Sequence, residues 1–237
     1  MKSGDSWGDA ILHNFNEGDE NSEWKENALM FDGVDDGIKV KDNSDYSKGI
    51  TLEIYFTLKG KGSSEITQIL MMKRTNVQDG FFIFLEGENF GDGMDNTPKY
   101  GKLVIDLGGC GNKDNRNRFY TNAIVRENEP TYITYTYDPN KENDNDILYV
   151  NGKEVETTNL GIIENMTSLP ENIPIQIGAD TYKTGQWDDD YNRTYAFNGE
   201  IYASRVYNRT LTEQEVLYNC LLYTSPSPRD RSVAGMA

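Results

Sequence analysis

A two-residue rhythm of apolar side chains is the strongest constraint on this chain. Leu52, Ile54, Phe56 and Leu58 alternate with Glu53, Tyr55 and Thr57. Leu103, Ile105 and Leu107 alternate with Val104 and Asp106, and Ile133, Tyr135 and Tyr137 with Tyr132, Thr134 and Thr136. Successive side chains on an extended backbone point to opposite sides, so these runs read as strands with one face against a core. Further strands are predicted over 66–73, 80–86, 119–125, 146–150, 153–156 and 173–178.

Clusters of Gly, Asn and Asp separate the runs. Asn151-Gly152 sits between two of them and predicts a hairpin, because both central residues of a type I′ turn need positive φ. Asp36-Gly37 is a second candidate for such a turn. Thr212-Glu213-Gln214-Glu215 fits a capping box, in which Thr212 accepts from the Glu215 N–H and the Glu215 side chain reaches back. The helix that follows is expected to turn Val216 and Leu217 inward. Many strands with one short C-terminal helix predict an all-β fold, an antiparallel two-sheet β-sandwich.

A chain of 237 residues suits one large β domain. The formal net charge of −16 repels phosphate backbones and anionic surfaces, which argues against nucleic acid and membrane partners. No apolar run is long enough to span a bilayer, and Met1–Phe15 lacks the pattern of a signal peptide. The segment from Cys220 to Asp230 resembles a translated sequencing adapter. Residues 1–219 are therefore expected to form the domain and 220–237 a non-native tail. Setting Cys220 aside leaves Cys110, which cannot form an internal disulfide alone.

Two segments near the chain ends add a family. Ala28-Leu29-Met30-Phe31-Asp32-Gly33-Val34-Asp35-Asp36-Gly37-Ile38-Lys39-Val40 and Phe197-Asn198-Gly199-Glu200-Ile201-Tyr202-Ala203-Ser204-Arg205-Val206-Tyr207-Asn208-Arg209-Thr210-Leu211-Thr212 each read as strand, glycine turn and strand. They resemble the opening and closing motifs of laminin G-like domains in the concanavalin A-like lectin/glucanase superfamily. The resemblance implies a jelly roll spanning roughly residues 28–217. Phe31 and Phe197 would share one interior, and Gly33 and Gly199 would allow tight turns. Where many relatives carry an Asp that helps hold calcium, this chain has Tyr202. The near absence of cysteine departs from animal relatives and, with the acidic, Asn-rich composition, suggests a bacterial protein. The first strand of the family is hard to find before Ile11, so the chain is expected to begin inside the domain.

The site residues follow from composition and loop position. Calcium needs six to eight oxygens, usually from loop carboxylates and carbonyls. Acidic loops occur at 86–96, 140–146 and 180–192, and Asp188 and Asp190 are the preferred calcium ligands because their loop resembles a ligand-facing rim. Sugars need aromatic faces and amide partners. Gln186, Trp187, Tyr191 and Asn192 supply both in the same loop and are the candidate ligand-binding residues. No strand carries the closely spaced carboxylates of a retaining glycosidase, and Glu53 and Asp106 read as solvated residues on different strands. The expectation is a non-catalytic extracellular or cell-surface module, part of a larger protein, that binds glycan through rim loops and the concave sheet. The alternatives are a protein–protein adhesion module and a glycoside hydrolase of the same superfamily.

Overall fold

The computed structural model describes residues 6–7, 10–15, 22–25, 27–62, 67–74, 80–87, 100–108, 116–141, 145–159, 173–179, 182–183, 186–187 and 195–224. Among these residues every strand pairing is antiparallel. A nine-stranded sheet runs β1 (Ser6–Trp7), β2 (Ala10–His13), β4 (Gly37–Val40), β14 (Ile175–Ile177), β6 (Thr67–Lys73), β7 (Gly80–Glu86), β8 (Lys102–Gly108), β9 (Arg116–Ile124) and β13 (Thr157–Asn159). A six-stranded sheet runs β12 (Lys153–Glu154), β11 (Asp146–Val150), β10 (Pro130–Tyr137), β5 (Ile50–Leu58), β17 (Asn198–Tyr207) and β3 (Leu29–Asp32). β15 (Tyr182–Lys183) and β16 (Gln186–Trp187) form a small hairpin of their own, and α1 spans Glu213–Thr224.

The alternating residues do what the rhythm requires. Leu52, Ile54 and Phe56 of one sheet and Ile83 and Ile105 of the other belong to one buried cluster, so the sheets are stacked face to face. Phe31 and Phe197 are both fully buried, with ring centroids 6.1 Å apart at an edge-on angle of 64°. Phe15 closes the other side of Phe31, at 5.2 Å. The opening and closing motifs therefore meet in a single interior.

The end motifs differ from their sequence reading. β3 and β4 do not form a hairpin; they lie in different sheets, and residues 33–36 carry the chain from one sheet to the other. Gly33 makes that turn with φ +80°, whereas Gly37 already opens β4, so Asp36-Gly37 is not a type I′ turn. The closing motif is one continuous strand, and Gly199 lies within it. A Cβ at Gly199 would stand 2.2 Å from the Thr57 carbonyl oxygen, so close packing explains this glycine rather than a turn. A register shift between Ile201 and Ala203 places a bulge at Tyr202. The other hairpin is as expected: Asn151 and Gly152 have φ of 52° and 74°, and β11 pairs with β12.

α1 begins with the expected capping box. Thr212 N donates to Glu215 Oε2 at 2.9 Å, and Glu215 N donates to Thr212 Oγ1 at 3.3 Å. The helix lies on the outer face of the six-stranded sheet, where Val216 packs with Tyr149 and Leu211. Leu217, expected to point inward, is 47% exposed, because only one side of the helix meets the sheet. The helix continues through Cys220–Thr224. At one end of the sandwich the loop after β4 is pinned by a buried ion pair: Lys73 Nζ lies 2.6 Å from Asp42 Oδ2, which also accepts from Tyr46 Oη at 2.8 Å. No described helix is long and apolar enough to cross a membrane.

Candidate functional site

The crossover between the sheets gathers three carboxylates. Asp32 ends β3, Gly33 reverses the backbone, and Asp35 and Asp36 precede β4. One oxygen from each of Asp32, Asp35 and Asp36 lies within 4.8 Å of the others. Asp32 Oδ1 accepts from Val34 N at 2.7 Å and Asp35 N at 3.3 Å, which fixes the tight turn. Asp36 is fully buried; its Oδ2 accepts from Asp32 N at 2.8 Å and its Oδ1 from the Ser22 hydroxyl. Asn14 Nδ2 donates to Asp35 Oδ2 at 2.8 Å. A Cβ on Gly33 would stand 2.7 Å from Asn198 Cβ, so the turn is packed against the start of β17.

The electrostatics favour a cation here. Burial pushes the Asp36 carboxyl up to about 7, and the neighbouring charges of Asp32 and Asp35 add to that, while Ser22 and the Asp32 N–H oppose it. A divalent ion among the three groups reverses that logic by making the ionised form the favoured one. The donor set is all oxygen, which suits a hard cation such as calcium or magnesium and not a transition metal that prefers nitrogen or sulfur. The cluster could therefore hold a metal ion. The sequence expectation gives this segment only a structural part and does not include the cluster. The signal was present in the run Asp32-Gly33-Val34-Asp35-Asp36, three acids around one glycine turn.

The residues expected to form the site fare differently. Gln186 and Trp187 form β16, and the register sets Tyr182 opposite Trp187 and Lys183 opposite Gln186. Asp188, Asp190, Tyr191 and Asn192 lie outside the described residues, as does Cys110. At the position where many relatives carry an Asp, the Tyr202 hydroxyl donates to Glu200 Oε2 at 2.7 Å and lies 2.9 Å from Thr57 Oγ1. Its ring packs 4.7 Å from that of Tyr55. Burial pushes this phenol up to about 12.

Glu53 and Asp106, read as solvated, are both buried, and the physical reason is cover on the outer faces. Glu53 sits under α1, where its carboxylate accepts from Tyr207 Oη at 3.1 Å and Asn219 Nδ2 at 3.1 and 3.2 Å, with Arg205 at 3.5 Å. Asp106 shares the outer face of the nine-stranded sheet with Ile69, Met72, Phe82, Phe84 and Val104. These form a second buried cluster, with Tyr195 packed against it. The Arg74 guanidinium lies 4.1 Å from the Phe82 ring centroid. Among the described residues this part of the face is buried.

Two stacked antiparallel sheets, joined by a crossover that gathers carboxylates, define a lectin-type jelly roll. The chain belongs to the Laminin_G_3 family of the concanavalin A-like lectin/glucanases superfamily, whose profile matches residues 32–217. No curated protein matches the chain in sequence. Solved structures share the fold. A sialidase CBM40 module from Ruminococcus gnavus, bound to α2,3-sialyllactose, is 15% identical with a TM-score of 0.51, over 73% of this chain and 83% of that one. A putative carbohydrate binding protein from Bacteroides ovatus is 17% identical with a TM-score of 0.51, over 77% of this chain and 44% of that one. A sialidase from Trypanosoma rangeli, in complex with 2,3-difluorosialic acid, is 14% identical with a TM-score of 0.57, over 90% of this chain and 29% of that one. The matches thus include both binding modules and sialidases.

Proposed function

We propose that this domain is a non-catalytic carbohydrate-binding module of a secreted or surface-attached protein, and that its ligand docks at the rim hairpin β15–β16. The observation that carries the reading is the hairpin register, which sets Tyr182 across from Trp187 and Lys183 across from Gln186. Two aromatic positions set opposite each other match the chemistry of a sugar, which offers apolar C–H faces for stacking. Two structural neighbours, the CBM40 module bound to α2,3-sialyllactose and the Bacteroides ovatus carbohydrate binding protein, support the same reading. The burial of Glu53 and Asp106, in different sheets, favours binding over hydrolysis.

Calcium is the proposed ion for the Asp32, Asp35 and Asp36 cluster, and its part is to brace the crossover from β3 to β4. The test is a glycan array read with and without calcium. Retention of one glycan class, weakened about tenfold or more by Trp187→Ala, is the expected outcome. No binding under either condition overturns the proposal.

A further inference from the structure

α1 and the end of β17 flank an open cleft of about 340 Å³, lined by Tyr207, Arg209, Leu211, Gln214, Tyr218 and Asn219 among others. It lies on the outer face of the six-stranded sheet, and its lining residues are remote in sequence from the rim hairpin. Ligand pockets begin at about 300 Å³, so the space suits one small ring and not a long chain.

The lining divides by chemistry. Leu211 is buried and Tyr207 is half-buried, while Tyr218 is 64% exposed. Arg209 and Glu215 bind each other through two contacts, Nη1 to Oε2 at 3.0 Å and Nη2 to Oε1 at 2.7 Å. Arg209 and the Thr212 N–H hold the Glu215 carboxyl down to about 2, so the pair stays ionised and its charges cancel. Asn219 spends its Nδ2 on Glu53 and Tyr207, which orients the amide. Among the described residues Asn219 Oδ1, the Gln214 amide and the Tyr218 hydroxyl have no hydrogen-bond partner. The cleft therefore offers aromatic surface, uncommitted neutral polar groups and no net charge. The net charge of −16 on the chain further disfavours an anionic guest.

We propose that this cleft is a second sugar subsite, one that takes a single uncharged pyranose. Tyr218 is the stacking surface, and Gln214 and Asn219 are the hydroxyl partners. The inference rests on the carbohydrate-binding reading but places a site where that reading does not.

Amide NMR shifts during titration with neutral methyl glycosides (glucoside, galactoside, mannoside) test it, with sialyllactose as the acidic probe. Saturable shifts at residues 207–219 are expected for at least one neutral glycoside. Tyr218→Ala should weaken that binding about tenfold, and Gln214→Ala about threefold. Both positions are exposed, so circular dichroism should show the wild-type fold in each variant. Shifts confined to residues 182–195 overturn the cleft and leave the rim proposal standing. No shifts anywhere overturn the cleft, while the rim proposal is decided separately by the glycan array. A stronger response at the cleft to sialyllactose overturns the assignment to uncharged sugars.

Discussion

Gly178 shows how one residue can hold a requirement that sequence does not display. It follows β14 with φ +84°, and a Cβ there would stand 2.2 Å from the ring of Phe31. Phe31 cannot retreat, since it is fully buried between Phe15 and Phe197. Gly178→Ala combines backbone strain with overpacking and is expected to cost about 2–4 kcal/mol. Urea unfolding should show a lower midpoint with an unchanged slope, and a midpoint equal to wild type would contradict this account. The roles of Phe31 and Phe197 were legible, because bulky rings in paired end motifs have few places to go. The glycine was not, because its constraint comes from a residue almost 150 positions away.

Alternation within a strand tells which side chains share a face, but not whether that face meets water. That limit explains Glu53. β5 was read correctly as a strand, yet both of its faces are covered, the inner by the opposite sheet and the outer in part by α1. The helix start was legible because a capping box is local chemistry, whereas the exposure of Leu217 depends on how the helix is laid down. Thr212→Ala removes the cap and is expected to cost about 1 kcal/mol, measured by thermal unfolding. The loop after β4 has a larger dependence on one side chain. Lys73→Met strips the partner from the Asp42 carboxylate, which is 9% exposed. Removing one member of a buried pair costs about 3–5 kcal/mol, and the slight exposure of Asp42 places this variant at the low end. Asp42→Asn in the Lys73→Met background should recover part of that loss, because the uncompensated charge is then gone; no recovery would mean that packing of the lysine stem dominates.

At the scale of the molecule, the sequence made the strands visible but not their division between sheets, since a period of two is the same in either. The crossover at residues 33–36 is where that division is made, and there the three carboxylates meet. Acidic runs elsewhere are denser in sequence; this cluster depends on a turn that folds Asp32 back toward Asp36. Its titration gives the calcium proposal a distinct signature. An unfolded Asp ionises near pH 4, whereas Asp36 in the ion-free fold ionises at about 7. Between those values the folded state holds more protons than the unfolded one, so its stability falls as pH rises from about 4 to about 7 and then levels off. Calcium binds the ionised form and offsets that loss. The gain in melting temperature on adding calcium to chelator-treated protein is therefore expected to be small at pH 5 and larger at pH 8. A gain that is equal at both pH values, or larger at the lower one, would place any bound calcium somewhere other than beside Asp36.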